Sequence, residues 1–396
     1  MLPTAPLSEL RWNRGYTDPA WVRRFTTAGR ELSPTRRVWR GPGPARPLPQ
    51  RPLALDGLDL VPTPSGPLRL ESLLAAAHTD ALVVLHRGAV VHESYRHGTV
   101  AHEPHFTASV AKSFLGLVAA TLAHDGALDR DALGSAYVPE LAGTAFGDAR
   151  VQDLLHMGTR PSYAGRPFDK ATEALRYQAV IAPGLRPSDY RGPATIREHL
   201  ATARATGAPG EEFCYENGNV EALAAVLRAV SGTTTAELVS QVLWSPLGTE
   251  EDAYYVVDGD GVEAACGGFS ATARDLARLG EMVRCGGAVG DRRVVPEAVA
   301  GTIASGVPQG YPQRVRLPAA PADSPATLSY HDLWWVLNDP YGSFMASGIH
   351  GQRVLVSPGL DLAVVHLASQ VVSPAVPQVP VVPALLRIGE HLAGRA

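Results

Sequence analysis

Hydrophobic positions along the chain follow two periods, and the change between them marks out the elements. Ala81-Leu82-Val83-Val84-Leu85 predicts a strand, His86-Arg87-Gly88 a turn, and Ala89 to Tyr95 a returning strand. Leu70 to His78 predicts a short helix before this hairpin. After it, Leu115, Val118, Ala119 and Leu122 recur at helical spacing, giving a helix over 110–124 that stops at Asp125-Gly126. Leu128 to Leu141 is a turn-rich link. Helical spacing then returns over 151–157, 194–203, 219–230, 235–244 and 272–283, with Ser231-Gly232 ending the third of these. Residues 158–193 are rich in Pro, Gly and Tyr and predict a long loop region, which at such length usually carries function; residues 301–329 are Pro/Gly-rich again. Strand patterns reappear at 333–337, 352–356 and 362–367, and 383–392 predicts a closing helix.

Strands at both ends with helices between them predict an α/β (α+β) architecture: a central antiparallel sheet built from N- and C-terminal segments and flanked by helices, beside a large helical lobe. The expected boundaries are an irregular N-terminal arm over 1–67, an α/β sheet domain from 68–126 and 330–396, and a mainly helical domain over 127–329. A cleft between the two lobes is the natural place for a site.

Bulk composition narrows the function. With 396 residues, 45% hydrophobic and 19% charged, the chain has the balance of an ordinary globular protein. A formal net charge of -4 disfavours nucleic acid as partner. No apolar run approaches the ~20 residues of a bilayer span, and the first residues lack the apolar core of a secretory signal. Cys214, Cys266 and Cys285 are too few and too scattered for a disulfide framework or a zinc site. A cytoplasmic protein without membrane association is expected; a homodimer is compatible with this composition.

The chemistry concentrates in three places. The first is Ser109-Val110-Ala111-Lys112, where residues three apart share a helix face and the serine sits at the helix start. Backbone N–H groups and the positive dipole end there favour a developing oxyanion. The chain has 35 Lys+Arg, yet its only lysines are Lys112 and Lys170. Unlike arginine, a buried lysine can lower its pKa and accept a proton, so Lys112 is expected to act beside Ser109 as nucleophile. The bland alternative is a solvated lysine on an amphipathic helix.

The second place is Phe213-Cys214-Tyr215-Glu216-Asn217, on a loop before the 219–230 helix. A tyrosine held next to a lysine ammonium can take a hydroxyl proton and pass it to a leaving group, and Asn217 can bond the acyl oxygen or Lys112. Tyr215 could instead merely pack, and Cys214 reads as a small packing residue. The third is Ser347-Gly348-Ile349-His350-Gly351, before a C-terminal strand. Gly348 allows close backbone approach to a substrate, and the Ile349 N–H pairs with that of Ser109 as oxyanion donors. His350 is either a supporting hydrogen bonder or a structural histidine. Asp258-Gly259-Asp260-Gly261 lacks the ligand pattern of a calcium loop and reads as a turn. Trp334-Trp335 alternate along a strand, one ring inward and one outward.

In this order the segments resemble the serine β-lactamase and penicillin-binding-protein superfamily, in the branch of class C β-lactamases and family VIII esterases. The likeness is nearest to its nylon-oligomer amidases. It rests on the Ser109–Ser113 and Gly348–Gln352 segments, Tyr137-Val138-Pro139-Glu140-Leu141-Ala142-Gly143, Thr272 to Gly280, and Trp334-Trp335. The resemblance implies a β-lactamase/transpeptidase-like fold, an acyl-enzyme on Ser109, Lys112 as proton partner, Tyr215 as general acid and base, a small amide or ester substrate, and no metal or cofactor. No lysine follows Lys170, so the third segment lacks the family's usual lysine and efficient β-lactam hydrolysis is not expected. Tyr163, Asp169, Tyr177 and Asp189 are candidate pocket residues; a carboxylate there would suit a substrate amine. An acyltransferase, or a module acylated without turnover, are the rival readings.

Overall fold

The strand Thr79–His86 is buried along its whole length, because both faces of its sheet are covered. Ala81, Val83 and Leu85 enter the larger core, and Leu82 and Val84 the smaller one. Such a strand reads as an unbroken apolar run. The structure is a computed structural model and describes residues 19–62, 66–163, 166–167, 170–182, 186, 189–306, 328–371 and 379–394. Thr79–His86 pairs with Ala89–Tyr95 on one side and Leu362–Ala368 on the other. The sheet continues through Gln352–Ser357, Phe344–Gly348, Trp334–Val336 and Ser329–His331, giving seven antiparallel strands from the two ends of the chain.

Helices Leu70–Ala76 and Val381–Leu392 cover one face, through Leu70, Leu73, Leu74, Leu385 and Ile388. On the other lie Val110–His124 and Ala273–Arg284. The second of these begins at Thr272, whose side chain accepts from Asp275 N. It comes close to the sheet at Gly280, where an added Cβ would stand 3.2 Å from Val354. Residues 110–121 are buried on every side, so this helix is a core element rather than an amphipathic surface one. An added Cβ on Gly116 would fall 2.1 Å from Asp332 O, so glycine is needed there for the close approach of that loop.

Three expectations are corrected. The N-terminal arm contains a helix, Pro19–Thr27, and a strand, Thr35–Val38. Trp21 and Val22 are buried, and Phe25 packs edge-on against Phe106. The intervening helical lobe carries strands Ala253–Val256 and Phe269–Ala271. With Thr35–Val38 and His105–Phe106 they form a second, four-stranded sheet. These strands are short, and Thr35-Arg36-Arg37 is polar because it runs along an edge, so periodicity misses them. The 158–193 segment is not simply a loop: it includes Pro161–Tyr163 and the helix Lys170–Ile181. Its flanking prolines masked a twelve-residue helical run. The Asp258 segment is a turn as expected, Asp258 Oδ1 accepting from Asp260 N and Val262 N, both at 2.9 Å.

Candidate active site

Strand His105–Phe106 delivers the chain to the site. Thr107 is clamped next, its N–H and hydroxyl both donating to Phe269 O at 2.9 Å. Ala108 then takes a left-handed φ of 49°, unusual for a residue with a Cβ and a form of local strain that clusters at functional positions. The chain turns through it into helix Val110–His124, leaving Ser109 at the helix start with its side chain only partly covered. Across the gap, strand Phe344–Gly348 ends against this corner. A Cβ on Gly348 would lie 2.6 Å from Thr107 O and 3.1 Å from Ser109 N. Glycine at 348 is therefore required by contact, since its own φ of -127° suits any residue. That contact puts the Gly348–Ile349 peptide beside the Ser109 N–H.

Lys112 is 1% exposed, which removes the surface-lysine alternative. Its Nζ donates to Ser109 Oγ at 2.8 Å and to Cys266 O at 2.6 Å. Nζ also lies 5.3 Å from the centre of the Tyr215 ring, whose phenol is the leading charge partner favouring the ammonium. Burial opposes the ammonium, but the charges of Tyr215, Cys266 and Glu221 outweigh it and raise the pKa above the ordinary lysine value. The expected lowering is therefore corrected. Lys112 sits here as a cation, bonded to the serine and beside the Tyr215 ring.

Tyr215 stands in an aromatic cluster. It stacks on Trp335 at 5.4 Å and 26°, and Tyr330 meets it edge-on at 6.0 Å. Phe213 closes the group against Tyr330 and Trp335. Of the tryptophan pair, Trp334 is wholly buried against Phe344, while Trp335 faces Tyr215. The packing alternative for Tyr215 thus holds for its ring, while its phenol is the charge partner of Lys112.

The other candidates divide. His350 Nδ1 bonds Gln370 O at 2.6 Å, and burial pushes the imidazole down to about 4, which leaves it neutral and structural. Asn217 is the first residue of helix Asn217–Ser231, half-buried two positions beyond Tyr215. Tyr163 and Tyr177 are buried and brace the site from behind: Tyr163 stacks on His199 at 4.6 Å, and Tyr177 donates to Glu221. Asp189 is exposed, and Asp169 lies outside the described residues. Cys214 is half-buried, its N–H bonded to Met157 O.

Two residues at the site escaped the sequence reading. Glu221, buried in the apolar run of helix Asn217–Ser231, accepts from Cys266 N at 2.9 Å and Ala265 N at 3.3 Å. It therefore anchors, through its backbone N–H, the residue whose carbonyl takes the Lys112 bond. A lone acid among Val220, Ala222, Leu223 and Ala224 was the available signal, since unpaired carboxylates are seldom buried. Arg353 bonds Gly348 O at 2.8 Å; nothing in its strand pattern marked it.

A seven-stranded antiparallel sheet with a Ser-x-x-Lys helix on one face and a tyrosine loop opposite defines a β-lactamase-like serine hydrolase. The β-lactamase family model matches residues 69–380, and the chain belongs to that family. It is 34% identical over 301 residues to the 6-aminohexanoate-dimer hydrolase of Paenarthrobacter ureafaciens, covering 76% of this chain and 75% of that one. It is also similar to the solved structure of a protein assigned by inference as a 6-aminohexanoate-dimer hydrolase, from Bacillus anthracis. There the TM-score is 0.87 at 30% identity, over 99% of each chain. A family VIII carboxylesterase structure shares the fold alone, at TM-score 0.56 and 16% identity over 78% of this chain and 90% of that one. No single described helix is long and apolar enough to cross a membrane.

Proposed function

We propose that this protein hydrolyses small linear amides of the 6-aminohexanoate-oligomer type, and the corresponding esters, through an acyl-enzyme on Ser109. The observation that carries the reading is Lys112, bonded at once to Ser109 Oγ and Cys266 O and engaged with Tyr215. A cationic lysine is a donor and not a base, so the serine proton goes to the Tyr215 oxygen, whose negative charge Lys112 stabilises. Ser109 Oγ attacks the carbonyl carbon. The N–H groups of Ser109 and Ile349 hold the resulting oxyanion. Tyr215 returns the proton to the departing amine or alkoxide, leaving an ester on Ser109. Water, deprotonated by Tyr215, then releases the acid.

Two observations support a linear amide over a β-lactam. The relatives above carry the linear-amide name, and this third segment reads Ala346-Ser347-Gly348 with no lysine. The protein is further proposed to act in the cytoplasm. The test is turnover of the linear 6-aminohexanoate dimer, p-nitrophenyl acetate and a chromogenic cephalosporin by wild type and Ser109→Ala. Dimer and ester are cleaved, the cephalosporin is spared, and Ser109→Ala loses at least ~10³-fold in kcat. Acid quenching traps the acyl mass on the Ser109 peptide. Undiminished turnover by Ser109→Ala refutes the reading.

A further inference from the structure

Arg353 lies on strand Gln352–Ser357, across from Ser347. Its guanidinium turns back along the hairpin, and one nitrogen, Nη1, bridges two carbonyls: Gly348 O at 2.8 Å and Gln352 O at 2.7 Å. Among the described residues no carboxylate forms an ion pair with it, and its Nε has no hydrogen-bond acceptor. Burial pulls its pKa down to about 10, opposed by Tyr215, so the group remains a cation at neutral pH. A desolvated cation with no acid beside it is costly, and an apolar residue of similar size is often the more stable choice.

The two bridged carbonyls are not equivalent. Gly348 O belongs to the same peptide group as the Ile349 N–H, and in a trans peptide the two point in opposite directions. Holding the carbonyl therefore aims the N–H away from Arg353. A cation on the carbonyl oxygen also polarises the peptide, which makes its N–H a stronger donor. We propose that Arg353 is a positioning residue for the oxyanion site: it holds and polarises the Gly348–Ile349 peptide so that the Ile349 N–H, with that of Ser109, receives the charge forming on the substrate oxygen. This rests on the acyl-enzyme reading above and adds to it a cation that acts through a backbone amide without touching the substrate.

The test compares wild type with Arg353→Gln, Arg353→Met and Arg353→Lys on p-nitrophenyl acetate. Loosening one oxyanion donor should lower kcat by roughly 10–100-fold in the glutamine and methionine variants, with KM within about threefold of wild type. The lysine variant, whose single charged nitrogen can still reach a carbonyl, should recover most of kcat. A structural arginine would lower the melting temperature together with activity. Here the methionine variant should melt at or above the wild-type temperature while losing kcat. Ile349 is the only isoleucine that follows a glycine, so carbonyl-13C glycine with 15N isoleucine labels this peptide alone. Its amide should shift downfield on adding a boronic acid, and by less in Arg353→Gln. Wild-type kcat in a folded glutamine or methionine variant overturns the proposal. So does the failure of both to fold, which would make the arginine structural. If Ser109→Ala also keeps its activity, the acyl-enzyme reading falls as well; if Ser109→Ala is inactive, only the role of Arg353 is lost.

Discussion

Glu221 offers the sharpest test of how the site is held from behind. Its carboxylate is buried and gathers three donors: the Tyr177 hydroxyl, Cys266 N–H and Ala265 N–H. Burial raises its pKa, with the Tyr177 and Cys266 hydrogen bonds opposing that. Glu221→Ala strands all three donors away from water. At about 1–3 kcal/mol for each unsatisfied buried group, and less for the longer Ala265 bond, the loss is about 3–6 kcal/mol. That is a large share of the ~5–15 kcal/mol by which a domain is usually stable. Glu221→Gln is gentler. The amide keeps one acceptor oxygen but turns an NH2 toward another donor, for about 1–3 kcal/mol. The same displacement moves the 265–266 peptide, and with it the Cys266 carbonyl that holds the Lys112 ammonium. Urea titrations should therefore show a lower midpoint in Glu221→Gln at an unchanged slope, the signature of altered stability alone. Its kcat on an ester should fall about tenfold, ~1.4 kcal/mol, with KM little changed. A glutamine variant with wild-type midpoint and wild-type kcat would refute the argument that this carboxylate positions Lys112 through the Cys266 peptide.

Further outcomes follow from the same geometry. Tyr215→Phe keeps the ring stack on Trp335 and deletes only the oxygen, so kcat should fall about 10²–10⁴-fold with the melting temperature nearly unchanged, as read by steady-state kinetics and calorimetry. Gly348→Ala puts a methyl 2.6 Å from Thr107 O; a stability loss of about 1–3 kcal/mol with impaired turnover is expected in urea titration and ester assays. Glu216 is buried at the start of helix Asn217–Ser231, and desolvation lifts its carboxyl to about 7. The folded chain then keeps a proton that the unfolded chain releases near 4.5, so this group's contribution to stability declines as pH rises from about 4.5 to 7 and is level above. Glu216→Gln should flatten that decline, by roughly 3 kcal/mol at most, in urea midpoints compared at pH 5 and pH 8.

The elements legible in the sequence are those that bury enough residues to leave a long apolar run or a simple period. Strand Thr79–His86 and residues 110–121 of helix Val110–His124 are buried throughout and read as apolar runs, while helix Ala273–Arg284 keeps a period of 3.6. Edge strand Thr35–Val38 and the three-residue strand Phe269–Ala271 bury too little of a face to leave one. Helix Lys170–Ile181 was hidden by its neighbouring prolines. The site was legible where chemistry restricts residue type: a serine and a lysine three apart, a tyrosine two residues before an asparagine, a glycine before the proposed oxyanion donor.

By itself, then, the sequence determined which groups are present and which share a helix turn, because spacing along one helix is fixed by its geometry. Only the tertiary structure decided how those groups are charged and aimed. The state of Lys112 follows from the side chains of Tyr215, Cys266 and Glu221, which arrive from segments over a hundred residues away. The direction of the Ile349 N–H follows from an arginine on the next strand. Electrostatic terms fall off with distance in space and not along the chain, so no local pattern could have carried them.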